Sequence, residues 1–362
     1  MKILIYILIG LNLFYCATNQ EIKDIRTQLN ERIQNPYDTT TPVKILFSTN
    51  RKTISTDVSC SNNYYSNQVD TSEKLGSCEV VVPAQHDIGS LDQDPAGSTE
   101  KFFKLENHES IGNIDDLVSR VSKNTFPEII VFVHGFNVKF EEALLRAAQI
   151  KYDLKFSGEV VLFSWPAGAD DGVLSSLLIK NTYQNNLANA KASIFTFKSF
   201  LSKLASSNKK IHLIVHSMGH QVVLPAVANL NREKNDKILK EMILNAPDFD
   251  YIEFKGIAEN LKKSAERITV YCSPGDNALV ASSKVNANKR LGSCEKYPGL
   301  DMINVNPVDS PVMGIGGLGH GYYSSRPILT DVYQVILGLE AKNRLFLRKS
   351  SPINGEDYVM RR

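Results

Sequence analysis

The sequence predicts an α/β fold: a mostly parallel central sheet of about eight strands, with helices on both faces. From Ile111 onward, short Ile/Val/Leu-rich segments alternate with amphipathic ones, and that alternation implies crossover connections and parallel strands. Segments such as Ile129-Ile130-Val131-Phe132-Val133 are apolar without a break, as expected where both faces of a strand are covered. A length of 362 residues, with 43% hydrophobic and 22% charged composition, suffices for one large core. The formal net charge of +2 provides no overall field for nucleic acid or an anionic membrane.

Taken in order, residues 44–49 and 78–83 read as strands, with an Asn/Ser/Tyr-rich surface loop over 55–76 between them. A further loop covers 89–99, and residues 101–105 read as a third strand. Ile114, Leu117 and Val121 mark a helix, followed by the strand 129–133 and a helix carrying Phe140, Leu144, Ala147 and Ala148. Residues 159–164 form the next strand. Tyr183, Leu187, Ala190, Ile194, Phe197, Leu201 and Leu204 then draw one apolar stripe, which predicts a single long helix packed on the sheet. Strands follow at 211–215, 242–245, 268–272 and 302–305, with helical patterns between them and a last helix over 329–339. The organisation expected is a leader over 1–17, a polar linker over 18–41, one domain over 42–341 and a basic, mobile tail over 342–362.

The leader begins with Lys2 and is apolar to about Tyr15, the length of a signal-peptide core and too short to span a membrane. It predicts export (periplasmic, cell-surface or secreted), with Cys16 as a candidate lipidation and membrane-attachment site. Four cysteines remain after processing, Cys60, Cys78, Cys272 and Cys294. An even count fits two disulfides in an oxidising compartment, and four buried thiols are the alternative. Of the three pairings, the local ones, Cys60 with Cys78 and Cys272 with Cys294, are preferred. Each closes a loop worth ~3 kcal/mol if unstrained.

Ligands of an open parallel sheet bind past the carboxyl ends of its strands, so the residues in those positions are the candidates for chemistry. The strand 211–215 ends in His216-Ser217-Met218-Gly219, after which Val222, Val223, Ala226 and Val227 recur at helical spacing. A strand, a very short turn and a helix with a serine at the turn form a nucleophile elbow, although Val215 stands where Gly is usual. Ser217 is therefore the candidate nucleophile, Asp276 the orienting acid and His320 the base, in the chain order such hydrolases use. Asp248 and Asp250, one strand earlier, are alternative acids, and Asp276 could instead be only a helix-cap residue. The backbone N–H groups of Phe136 and Met218 are candidate oxyanion donors, with His134, Gly135, Asn137, His216 and Gly219 in support.

Two other patterns lead elsewhere. His212, His216 and His220 are four apart, but they fall in a strand, a turn and a helix, so no metal face is expected. Gly314-Ile315-Gly316-Gly317-Leu318-Gly319 matches a dinucleotide fingerprint but lies far from a first βαβ unit. It reads as a loop delivering His320, and neither a cofactor nor a metal is called for. Apolar residues after Gly168-Ala169-Asp170-Asp171-Gly172, reaching residue 179, suggest a lid or simply the entry to the long helix.

Several ordered blocks together resemble a bacterial α/β-hydrolase family of mostly unassigned function, esterase- or lipase-like. They are Phe47-Ser48-Thr49-Asn50-Arg51, Gly76-Ser77-Cys78-Glu79-Val80 and Val131-Phe132-Val133-His134-Gly135-Phe136-Asn137. The set continues through residues 140–149, Phe163-Ser164-Trp165-Pro166, His216-Ser217-Met218-Gly219, Ala246-Pro247-Asp248 and Gly319-His320. The resemblance runs from about Val43 to Leu339. The family's elbow shares a small apolar residue at the Val215 position and often has Asn where His220 stands. The resemblance implies an α/β-hydrolase fold and a serine hydrolase of esterase or lipase type, without supplying a substrate; a small-molecule or lipid ester is the substrate class expected. Lipase, phospholipase or amidase activity on the same residues, or a non-catalytic surface binding protein that keeps the fold, are the other readings.

Overall fold

A computed structural model describes residues 42–94, 96–169, 176–308, 320–351 and 355–361. Among the described residues eleven strands form one sheet in the order β10-β11-β9-β8-β7-β6-β4-β5-β1-β2-β3. They are β1 (Val43–Thr53), β2 (Tyr65–Val81), β3 (Lys104–Ile111), β4 (Glu128–Val133), β5 (Val160–Ser164) and β6 (Lys210–His216). The rest are β7 (Leu239–Asn245), β8 (Ala265–Cys272), β9 (Asp301–Asn304), β10 (Leu347–Lys349) and β11 (Tyr358–Met360). Every pairing from β1 across to β11 is parallel, and the β1–β2, β2–β3 and β10–β11 pairings are antiparallel. The parallel body has eight strands, seven of them read from the apolar runs and the eighth, β11, not. Antiparallel pairings at both edges bring the sheet to more strands than the about eight expected.

The two-residue repeat of these strands sorts their side chains into two cores. Val131, Val133, Leu213, Val215, Met242 and Leu244 face one layer of helices: α1 (Ile114–Lys123), α4 (Ile194–Leu204), α5 (His220–Lys234) and α6 (Tyr251–Ser264). Ile130, Phe132, Ile214, Ile243 and Ile303 face the other, built from α2 (Phe140–Asp153) and α8 (Arg326–Ile336). The remaining helices are α3 (Ser176–Ala192) and α7 (Asn277–Asn286). The disulfides Cys60–Cys78 and Cys272–Cys294 join Cα atoms 6.2 and 5.1 Å apart. The first ties the β1–β2 connection down, and the second ties the end of β8 to the turn at Leu291–Ser293.

Four expectations are corrected. Residues 65–76, read as surface loop, belong to β2, a 17-residue strand whose pairing with β1 shifts register between Thr49 and Arg51 and again before Thr53. Its outer half is polar and only partly buried, and a hydrophobicity pattern cannot detect such a strand. The third strand begins at Lys104, three residues later than expected, and pairs along β2. The single long helix is two, α3 and α4, broken at Ser193. The Ser193 hydroxyl donates to the Asn189 carbonyl (2.8 Å) and accepts from Asn50 Nδ2 (2.9 Å), so a side chain on β1 holds the break. Residues after 342 were expected to be a solvated tail, yet β10 and β11 join the sheet through β9, with Met360 buried. Three-residue strands are too short to register as an apolar run.

The leader with Cys16, the linker over 18–41, the hinge over 170–175 and the glycine motif ending at Gly319 lie outside the described residues. Residues 176–179 open α3. Among the described residues no helix is long and apolar enough to cross a membrane.

Candidate active site

Adjacent parallel strands bring their terminal loops to one edge of the sheet, where the singled-out residues meet. β6 runs extended to His216, and Ser217 then takes φ +51°, in the left-handed region. For a serine this conformation costs ~1–3 kcal/mol and persists only where the surroundings enforce it. A short 3₁₀ turn, Ser217–Gly219, leads into α5, whose N-terminus therefore lies at the serine. Two glycines allow the loop after β4 to press on this elbow. A Cβ on Gly135 would lie 2.7 Å from His216 Nδ1 and 2.8 Å from Ser217 Cβ, and one on Gly219 would lie 2.5 Å from the His134 carbonyl oxygen.

The Ser217 Oγ is 2.6 Å from His320 Nε2, and His320 Nδ1 is 2.6 Å from Asp276 Oδ2. A carboxylate only accepts, so Nδ1–H donates to Asp276 and Nε2 is left to accept from the serine hydroxyl. Asp276 is fully buried at the N-cap of α7, where its other oxygen accepts from the Ala278 (3.0 Å) and Leu279 (3.1 Å) N–H groups. The helix-cap role and the contact with His320 thus belong to different oxygens of one carboxylate. This fixes the direction in which Oδ2 points.

His216 supports the histidine from behind. Its ring stacks on Tyr323 with centroids 3.7 Å apart, and its Nε2–H donates to the His320 carbonyl at 3.3 Å. Burial first, and His320 next, hold His216 well below the usual imidazole range, so it is neutral at physiological pH. His220 donates from Nδ1 to the Ser217 carbonyl at 2.6 Å, and burial depresses it to about 3. His212 lies lower in β6, with Nε2 at 3.2 Å from Glu128. The three histidines thus serve three separate places. Among the described residues no cluster of His, Cys, Asp or Glu is arranged to hold a metal ion.

The alternative acids are engaged elsewhere. Asp248 accepts from Tyr183 (2.9 Å) and Ser282 (2.5 Å) and pairs with Arg290 at 3.1 Å. Asp250 caps α6 through the Ile252 and Glu253 N–H groups. The carboxylate that His320 contacts is Asp276, not either of these.

Sequence reasoning gave no role to several residues that shape this edge. Asn186 on α3 is buried; its Oδ1 accepts from the Asn137 (3.0 Å) and Gly168 (3.1 Å) N–H groups, clamping the loops after β4 and β5 together. Asn137 itself sits at φ +55°, a left-handed conformation that asparagine tolerates better than most residues. Tyr183 packs its ring 5.8 Å from Phe136, and burial and Asp248 push its hydroxyl up to about 12. Arg51, at the end of β1, is fully buried beneath the loop after β4. An arginine inside a strand gives no sequence signal of this kind; polarity alone would place it at the surface.

A parallel sheet covered on both faces, and a strained serine elbow in contact with a histidine that contacts an aspartate on the same edge of the sheet, define an α/β hydrolase. Residues 111–338 match the family described as alpha/beta hydrolase of unknown function (DUF900). That is more than half of the chain, and the chain belongs to this family. The first two resemblance blocks, around Phe47 and Gly76, precede the matched region. No curated protein matches the sequence. Among solved structures, the chain is similar to an esterase from Pyrobaculum calidifontis at 10% identity and a TM-score of 0.33, over 88% of this chain and 89% of that one. A likeness that low carries no argument about activity.

Proposed function

We propose that the chain is an exported serine hydrolase that cleaves carboxylic esters through an acyl-enzyme on Ser217. The observation carrying this reading is the unbroken chain of contacts from Ser217 Oγ through His320 to Asp276, each 2.6 Å long. A serine hydroxyl is a weak nucleophile until a base takes its proton. In the proposed cycle Oγ bonds to the ester carbonyl carbon as its proton passes to His320 Nε2. Asp276 stabilises the resulting imidazolium. The carbonyl oxygen becomes an oxyanion held by the Phe136 and Met218 N–H groups. Collapse breaks the bond to the alcohol oxygen, which takes the proton from His320, and water then repeats the sequence to release the acid. No cofactor enters these steps.

Export is supported by the signal-like leader and by two disulfides, which persist in oxidising compartments. Attachment to a membrane through Cys16 belongs to the same reading. The test is a panel of p-nitrophenyl esters of increasing acyl length, with matched anilides, offered to the wild type and to Ser217→Ala. Ester turnover is expected to fall by about 10³-fold or more in the variant, and anilides are expected to turn over slowly or not at all. Unchanged turnover in Ser217→Ala would remove the mechanism. Preferential anilide cleavage would make the protein an amidase.

A further inference from the structure

Among the described residues Arg51 is the largest fully buried side chain after Trp165, and it forms no ion pair with a carboxylate. The Glu142 charge acts on it from farther away, and burial outweighs that charge and lowers the Arg51 pKa to about 9. Its Nη1 donates to the Ser66 (3.1 Å) and Ala167 (2.8 Å) carbonyls, and its Nη2 donates to the Val138 carbonyl at 2.9 Å. Burying a cation without a hydrogen-bonded anion is costly. Neutral donors could tie these loops together without that cost. The charge therefore calls for an explanation of its own.

The remaining donors of Arg51 converge on His134. Nη2 lies 3.4 Å from His134 Nε2, and Nε donates at 2.9 Å to Ser164 Oγ, which is itself 3.2 Å from the same Nε2. A guanidinium only donates. Having accepted from Arg51, the Ser164 hydroxyl has its own proton free for His134. Nε2 is therefore an acceptor, and the imidazole proton is on Nδ1. That nitrogen lies 3.1 Å from the Gly135 carbonyl oxygen, which only accepts. The ring is fixed by stacking on Trp165 (5.2 Å between centroids, 11° between planes), whose Nε1–H donates to the His134 carbonyl at 2.9 Å. Burial, and then Arg51, depress His134 to about 3, so it stays neutral.

The Gly135 carbonyl belongs to the same peptide group as the Phe136 N–H. We propose that Arg51 and His134 are positioning residues that polarise this peptide, so that the buried charge strengthens the Phe136 N–H as an oxyanion donor. Hydrogen bonds in series reinforce one another in a low-dielectric interior. Here the series runs from Arg51, directly and through Ser164, to His134, to the Gly135 carbonyl, and out through the Phe136 N–H. The guanidinium also adds its own field at an oxygen that becomes negative only in the transition state. The inference rests on the serine-hydrolase reading and on Phe136 as donor.

An aryl trifluoromethyl ketone provides the test, because its hemiketal with Ser217 carries an ionisable oxygen where the oxyanion forms. The hemiketal pKa, read by ¹³C or ¹⁹F NMR, is expected to rise by about one unit in Arg51→Met and to return toward the wild-type value in Arg51→Lys, which keeps the charge. His134→Asn retains a donor for the Gly135 carbonyl but loses the acceptor facing Arg51, and an intermediate value is expected. In Arg51→Met, kcat is expected to fall about tenfold or more with KM little changed. A purely structural role would alter kcat, KM or folding without moving the hemiketal pKa. A wild-type hemiketal pKa in folded Arg51→Met contradicts the proposal. If that variant does not fold, a wild-type value in His134→Asn does so. Failure of wild-type protein to form the adduct, or its formation in Ser217→Ala, overturns the hydrolase reading instead.

Discussion

At the scale of single residues, the elbow depends on groups whose protonation is fixed by burial. His220 donates to the Ser217 carbonyl, and its Nε2 is buried with no hydrogen-bond partner among the described residues. Only the Nδ1 end of that ring is used, and the amide of asparagine can reproduce it, which fits the asparagine that the family resemblance brings to this position. His220→Asn is accordingly expected to retain ester turnover within a few-fold. The same change should alter acid stability. The folded pKa of about 3 lies below the ordinary 6.5. Between those values the unfolded chain carries a proton on His220 that the folded chain refuses, so stability is fully present above pH 6.5 and is lost as pH falls. One such group contributes about 1.4 kcal/mol per pH unit. Denaturant unfolding at pH 7 and pH 5 should therefore show a smaller acid loss for the variant than for the wild type, by about 2 kcal/mol. Equal losses would mean that His220 takes up its proton in the folded state.

At the scale of elements, the site is a product of contact between two turns, the loop after β4 and the elbow after β6. Their strands are neighbours in register, with Val133 opposite Val215, so the turns meet only if Gly135 leaves room for the His216 and Ser217 side chains and Gly219 for the His134 carbonyl. Gly135→Ala would place a methyl group within 2.8 Å of Ser217 Cβ. It is expected to push the loop off the elbow and reduce kcat by tenfold or more, with a modest stability cost of about 1–3 kcal/mol from overpacking. Steady-state kinetics and thermal unfolding of that variant check this, and wild-type kcat would show that the loop tolerates the shift. The sequence made this juxtaposition legible because apolar strands and their punctuating glycines follow period and turn rules. His134-Gly135-Phe136, Ser217 and Asp276 each stand just past a strand, and His320 follows the last apolar strand at a longer remove. Arg51, Asn186 and Tyr323 were not legible as contributors, since each acts across long sequence separations through hydrogen bonds or ring contacts that no local pattern encodes. The polar half of β2 and the short strand β10 escaped for a related reason: antiparallel pairing at an edge is satisfied by backbone hydrogen bonds and needs no apolar signature, while β11, parallel to β9, is too short to show one.

At the scale of the whole molecule, sheet order determines which residues can cooperate. The order β9-β8-β7-β6-β4-β5 sets the loops bearing Asp276, Ser217 and His134 on one edge, those of Ser217 and His134 adjacent and that of Asp276 one strand further along. His320 comes last in sequence and reaches that edge from beyond β9. Its segment is anchored by Tyr322 in the core and by Tyr323 on His216. Two disulfides hold the periphery, one at the β1–β2 ribbon and one beside Asp276. Rigid strands and covalent ties thus fix the spacing of three groups that are distant in sequence, while the family to which the chain belongs leaves the substrate open. The central claim is that Ser217 is a nucleophile activated by His320, and covalent capture with a fluorophosphonate followed by peptide mass spectrometry tests it most directly. A single adduct on the Ser217 peptide is expected, absent from Ser217→Ala and strongly slowed in His320→Ala. A folded wild-type protein with both disulfides intact that takes up no label, or takes it up equally in Ser217→Ala, would contradict the account.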